Sequence, residues 1–306
     1  MDIIVPEAQG DAGIGFLQSL AKTNLAKEAR VICVGKNMWE LPMYMFQNSF
    51  KKIEGIELPS SDSVSDKGIA DVLRLALGSL MLEEGFIAPT AECLTGVFLH
   101  PVIQARLKLA GISYEWLPSL RAWQISRSKL MLRDCISDVL ETKTEWIGVG
   151  DDCFGKPRCG SGSKGCQVVH SRAEAESLDD YVFQPYLRDA PYFVVDIIGG
   201  FTVTRKVTKQ RDGADTEFTF FRDFELEDRA KKVQEELPGN PTVLNVQFLH
   251  DGEKYWIIDI GTRLSGAVGS LLEYDMNILE MLLGDFAGPE VSECPIKRYW
   301  SAYPCP

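Results

Sequence analysis

Two lysines and a glycine–serine segment have the composition to hold a phosphate chain. Lys156 opens "KPRCGSGSKGC", in which Gly160, Gly162 and Gly165 are interleaved with Ser161, Ser163 and Lys164. Glycine has no side chain, so successive backbone N–H groups can close on an anion. The serine hydroxyls add donors, and Lys156 and Lys164 add positive charge. By composition alone, a plain solvated turn is the competing reading. The segment is not a P-loop, which needs Lys–Ser/Thr after its second glycine, because Lys164 is followed by Gly165. A third lysine, Lys129, ends "SRSK", and much later comes "LNVQFLHDGEKYWIIDIGTRLSGA", carrying Gln247, Asp259 and Arg263.

Regular elements must position these groups, and the hydrophobic pattern supplies them. Residues 3–5 read as a strand, followed by a loop with Gly10, Gly13 and Gly15 and a helix through Leu17 and Leu20. Residues 31–34 read as the next strand. Apolar positions 69, 72, 73, 76, 77, 80 and 81 share one helical face, Gly85 ends that helix, and a strand over 86–88 closes at Pro89. Strands alternating with helices predict a doubly wound parallel α/β domain over residues 1–115. Its glycines run G-x-x-G-x-G, which is not the dinucleotide spacing, so NAD is not indicated.

A helix is expected to start after Ser126 as N-cap, burying Leu130, Ile136, Val139 and Leu140. Lys156 ends a further strand. Beyond the glycine segment the chain is strand-rich, over 182–187, 193–198, 201–207, 216–221, 243–249 and 255–260, with a polar helix over 226–237. Asp251-Gly252 marks a hairpin between the last two strands. Asp196 is expected to serve an internal hydrogen bond, and Tyr255, Trp256 and Ile257 to be core.

Bulk properties narrow the partners. The 306 residues carry a net charge of −12, with 45% hydrophobic and 25% charged residues, the profile of a soluble globular protein. A strongly acidic chain disfavours nucleic acid as partner, while a local basic patch still suits a small phosphate-bearing molecule. Cysteines at 33, 93, 135, 153, 159, 166, 294 and 305 make no Cys-x-x-Cys pair, and His100, His170 and His250 complete no zinc pattern. Scattered thiols and the lack of a leader suggest a reducing cytoplasm, and no apolar run is long enough to span a membrane. Cys159 and Cys166 flank the glycine segment without a histidine base, so neither is assigned as a nucleophile.

Taken in order, "SRSK", "GKPRCGSGSKG", the Asn-x-Gln strand at 245–247 and the Asp259–Arg263 strand resemble the ATP-grasp superfamily. The likeness is to the carbamoyl-phosphate-synthetase-like ATP-binding domain, over residues 120–285. The resemblance implies a parallel α/β domain (1–115), then a two-lobed ATP-grasp unit with antiparallel sheets. Its small lobe would span 116–184 and carry the flap, and its C-terminal lobe 185–306 would carry the metal site. It implies that Lys129 and Lys156 hold the α- and β-phosphates and that Gly160 to Gly165 form a mobile flap. Gln184, Pro185, Tyr186 and Leu187 would line the adenine hinge, and Arg205 is an added candidate for anion binding. Gln247 and Asp259 would bind Mg2+, with Mn2+ as a substitute, and Arg263 would steady the transferring phosphoryl group or the substrate anion. This chain departs from the pattern in having Gly261 in place of an asparagine, Asp259 in place of glutamate, and Pro191 or Tyr192 in place of the ribose glutamate, which implies one good ion.

For Gln247 and Asp259 to share a face, strand parity requires an odd-membered loop centred on Gly252 or Glu253. A two-residue turn would put them on opposite faces. The implied activity is an ATP-dependent ligase that joins a small-molecule carboxylate to an amine through an acyl phosphate, an amino acid or small peptide being one substrate. The 1–115 domain, through its Gly10–Gly15 loop, would help bind the acid. A nucleotide-binding protein without turnover is the alternative, and a homodimer is left open.

Overall fold

The computed structural model describes residues 1–35, 45–58, 66–91, 93–147, 152–160, 163–211, 214–287 and 294–297. Ser161 and Gly162 of the expected flap lie outside the described residues.

The first sheet is parallel. Strands β1 (Asp2–Pro6), β2 (Arg30–Gly35), β3 (Lys52–Glu57), β4 (Gly85–Ile87) and β5 (Ile112–Ser113) take the order β3-β2-β1-β4-β5. This is the doubly wound arrangement expected from the alternating pattern. The strand order reverses between β1 and β4, and the crevice at such a switch point is where open α/β sheets take ligands. The three glycines after β1 do not form an open loop. The helix starts at Asp11, so Gly13 and Gly15 lie inside it and are buried. A Cβ on Gly15 would stand 2.8 Å from Cα of Gly269, in the 3-10 turn Val268–Tyr274. Gly15 therefore allows close packing between the two halves of the chain, while Gly13 lets its helix pack on the backbone of Glu7 and Ala8. Gly15→Ala should force those backbones apart at a cost of about 1–3 kcal/mol, read as a lower urea midpoint with an unchanged slope.

The second sheet is antiparallel, six-stranded and ordered β13-β12-β9-β10-β11-β14. Its members are β9 (Tyr192–Ile198), β10 (Phe201–Arg211), β11 (Ala214–Phe221), β12 (Val243–His250), β13 (Tyr255–Gly261) and β14 (Cys294–Lys297). Side chains alternate across it. Val194, Ile198, Val203, Phe218 and Val243 join Phe16, Leu17 and Leu20 in one core shared with the parallel domain. Val195, Ile197, Leu244, Val246 and Phe248 bury the opposite face against the Phe224–Glu236 helix and residues 122–136. A third sheet, ordered β7-β6-β8, comprises β6 (Cys153–Pro157), β7 (Gln167–Val169) and β8 (Tyr181–Pro185).

The helix expected to start after Ser126 starts instead at Lys129 and ends at Cys135, and Ser126 belongs to a preceding helix, Leu120–Arg127. Ser119 caps Leu120–Arg127 by accepting from Ala122 N at 3.1 Å, and Ser128 caps Lys129–Cys135 by accepting from Met131 N. The extended Ser128 ends the first helix and begins the second, and Ser126 instead donates to Trp123 O at 2.8 Å. Ile136, Val139 and Leu140 lie beyond the second helix, where Leu140 N bonds Ile257 O at 2.8 Å. No helix among the described residues is long and apolar enough to cross a membrane.

Candidate nucleotide site

The third sheet and the β12–β13 hairpin contribute opposite walls of a cavity of about 310 Å3. Lys129 is the first residue of its helix, and its backbone N bonds Arg158 O at 3.0 Å, which ties the helix start to the end of β6. Its side chain is buried, and Nζ lies 2.5 Å from Asp259 Oδ1. Along β6 the side chains alternate, so Phe154 and Lys156 both line the cavity. Lys156 Nζ donates to Ile258 O at 3.1 Å and lies 5.6 Å from the Phe154 ring centre. Burial lowers the Lys156 amine to about 8; Asp259 opposes that shift and Lys129 adds to it. Two ammonium groups and one carboxylate in one cleft leave a net positive charge, which favours a polyanion. Gly160, Ser163 and Lys164 complete this end.

The other end is apolar. Leu140, Tyr186, Leu187 and Leu249 line it, and Tyr186 stacks on Phe154 with ring centres 6.3 Å apart and planes at 16°. Gln184 is committed to structure through its side chain, which donates to Thr142 Oγ1 at 2.8 Å, and Pro185 lines the wall beside it. Tyr192, one of the two residues standing at the expected ribose position, also lines the cavity. Nothing in the sequence marks Leu140, Phe154 and Leu249 as cavity-lining, since isolated apolar residues carry no sign of which surface they will line.

Gln247 and Asp259 do stand opposite one another, but not by an odd loop. Residues 251–254 form a four-residue connection, with His250 paired to Tyr255 and Phe248 to Ile257. The register then slips, and Gln247 pairs with Asp259 because Ile258 is an extra residue on β13. Parity is corrected by this β-bulge. The bulged residue is also the one whose carbonyl takes the Lys156 bond. At the hairpin tip Trp256 is half-buried, not core: its Nε1 donates to Asp251 Oδ2 at 2.6 Å.

Arg205 does not reach the cavity wall. It is 3% exposed and pairs with Asp196 and, at 3.0 Å, with Asp215. Both acids lie on strands flanking β10, so the guanidinium is spent inside the sheet. Asp196 also accepts from Asn245 Nδ2 at 2.8 Å and Ser265 Oγ at 3.1 Å, the internal role expected of it. Arg263 also stands outside the cavity wall. Its Nη1 donates to Leu264 O at 2.7 Å, and Leu264 N donates to Pro89 O at 2.9 Å, which places it beside the switch-point crevice of the parallel sheet.

Among the described residues, no group of three or more His, Cys, Asp or Glu side chains is placed to hold a metal. One carboxylate facing one amide does suit a hard cation whose remaining places are filled by phosphate and water oxygens. Cys166 is raised above the ordinary thiol value by burial, consistent with its having no nucleophilic role. Beside Tyr186, Asp152 Oδ1 lies 2.8 Å from His170 Nδ1 and its Oδ2 3.2 Å from Arg188. The hydrogen bond and charge of Asp152 raise the His170 value. A raised folded value stabilises the fold at low pH and is lost as pH climbs through it. The ring resonances of His170 should titrate above pH ~6.5 and return towards that value in Asp152→Asn.

No family model matches the sequence, and no curated protein matches it at the sequence level. Solved structures do match. An L-amino acid ligase from Bacillus licheniformis aligns with TM-score 0.65 at 11% identity, covering 95% of this chain and 77% of that one. The biotin carboxylase of Campylobacter jejuni, in its β,γ-ATP complex, aligns with TM-score 0.61 at 15% identity, covering 94% and 72%. A putative ATP-grasp superfamily protein from Archaeoglobus fulgidus aligns with TM-score 0.58 at 14% identity, covering 97% and 99%. The chain has the ATP-grasp fold.

Proposed function

We propose that this protein is an ATP-dependent carboxylate–amine ligase acting on an amino acid or small peptide. A carboxylate oxygen attacks the γ-phosphorus of ATP, the bond to ADP breaks, and an acyl phosphate forms. The amine nitrogen then attacks the acyl carbon and phosphate leaves. Activation is needed because a carboxylate is a poor electrophile and phosphate is a far better leaving group than oxide.

The observation that carries this reading is the meeting of Lys129, Lys156 and Asp259 in one cleft, beside Gly160, Ser163 and Lys164 and next to the stacked pair Phe154 and Tyr186. Lys129 and Lys156 bind the phosphates, and Ser163 and Lys164 cover them, excluding water that would hydrolyse the acyl phosphate. Gln247 and Asp259 would hold a divalent ion, which when bound screens the charge between the β- and γ-phosphates. Arg263, beside the switch-point crevice, is assigned to the substrate carboxylate and its phosphorylated form. The names of two fold neighbours, an L-amino acid ligase and a biotin carboxylase, support this general kind of reaction.

The test is phosphate release from ATP with magnesium and amino acids offered singly and in pairs. Stimulation by one pair, with the joined product in the mass spectrum, is the expected result. Tight ATP binding with no stimulation by any pair or by small peptides would favour a nucleotide-binding protein without turnover.

A further inference from the structure

The inner face of the β12–β13 hairpin carries a two-by-two block in which Gln247 pairs with Asp259 and Asn245 pairs with Gly261. Gly261 brings no donor, and Asp259 is the block's only carboxylate. We propose that Asn245 is a third oxygen ligand of the divalent ion, its amide oxygen turned towards Gln247 and Asp259 by Asp196. The inference rests on the cleft being a metal–nucleotide site.

Three observations support it. First, the amide orientation is dictated. Asn245 is 6% exposed, and its nearest side-chain partner is Asp196, 2.8 Å away and itself 3% exposed. A carboxylate held by an arginine and a serine hydroxyl accepts only, so Asn245 must turn its NH2 group to it. Its oxygen is thereby directed away from Asp196, on the side where Gln247 Nε2 lies 3.4 Å off. Second, space is kept for it. A Cβ on Gly261 would meet nothing within 4 Å except Cβ of Asn245 at 3.9 Å, so the place opposite the amide is open. Third, the spacing suits one ion. Positions 245 and 247 point to the same face two residues apart, about 7 Å along the strand. Side chains of this length can converge on an ion lying between them, with Asp259 across the hairpin. Three protein oxygens leave three octahedral places for phosphate and water, the number Mg2+ commonly keeps for them. The third ligand is neutral, so the single negative charge of the set is unchanged.

The test compares the native chain, Asn245→Ala, and Asn245→Ala combined with Gly261→Asn, which moves the amide across the hairpin. Mn2+ affinity is read by electron paramagnetic resonance with a non-hydrolysable ATP analogue present, and analogue affinity is read separately in EDTA. Asn245→Ala should weaken Mn2+ about 10–100-fold, leave analogue binding in EDTA unchanged, and regain most of the loss when Gly261→Asn is added. Equal Mn2+ affinity in the native chain and Asn245→Ala overturns the inference. So does a native chain that binds no Mn2+; if that chain still binds the analogue in EDTA, the nucleotide reading stands. Failure of the analogue to bind at all overturns the nucleotide reading itself. Should Asn245→Ala not fold, the anomalous signal of Mn2+ in crystals of the native chain answers the same question. An ion about 2.1 Å from Asn245 Oδ1 supports the inference, and an ion touching only Gln247 and Asp259 overturns it.

Discussion

Lys156→Met binds a non-hydrolysable ATP analogue at least about 100-fold more weakly than the native protein and melts at the same temperature or higher. The two halves of that expectation share one cause. Lys156 is 6% exposed, and among the described residues its ammonium donates one hydrogen bond, to Ile258 O. Burial lowers its amine to about 8, so folding disfavours the charged form relative to the unfolded chain. Methionine fills similar volume without a charge to desolvate, which removes that cost. What it cannot do is meet a triphosphate. In the ligase reading phosphate oxygens meet the ammonium, so the fold carries a buried charge that substrate compensates. Differential scanning fluorimetry and analogue titration on one preparation read both effects. Unchanged affinity would remove Lys156 from the phosphate site. A large fall in melting temperature would mean the amine serves the fold.

Arg205→Ala behaves in the opposite way, losing about 3–5 kcal/mol of stability. Removing the guanidinium takes away the cation that Asp196 and Asp215 share across β10. Asp196 also anchors Asn245, and Asn245 contacts Gln247, so loosening the centre of the sheet reaches the face that carries Gln247 and Asp259. Arg205→Ala with Asp196→Asn and Asp215→Asn should recover part of the loss, because amides tolerate burial without a cation. Urea denaturation followed by fluorescence measures both variants. If Arg205→Ala instead stays within about 1 kcal/mol of the native protein and loses nucleotide affinity, Arg205 is an anion ligand after all.

Much of this protein is determined by local sequence. Alternating apolar runs are enough to specify the parallel domain, since a strand or helix buries its stripe whichever neighbour it meets. The antiparallel strands fall within a few residues of their expected places for the same reason: period-two patterning is a property of one segment. Lys129 at a helix start and Lys156 on a strand were legible too. Glycine and serine around 160–165 announce a backbone able to approach an anion, which needs no knowledge of the rest of the chain.

Partnership and register were decided only in three dimensions. Lys129 and Asp259 are 130 residues apart, and nothing near either one marks the other. Arg205 looked available for a phosphate because its two acids lie 9 and 10 residues away on neighbouring strands, where only strand pairing brings them together. Parity along the hairpin required an odd correction between Gln247 and Asp259, and a loop was the visible place to put it. The fold puts it at Ile258, where the added residue also turns a carbonyl towards Lys156. A bulge leaves no mark in side-chain type, because it is a choice between two ways of pairing the same backbone groups. That choice is made by what packs on either side of the strand.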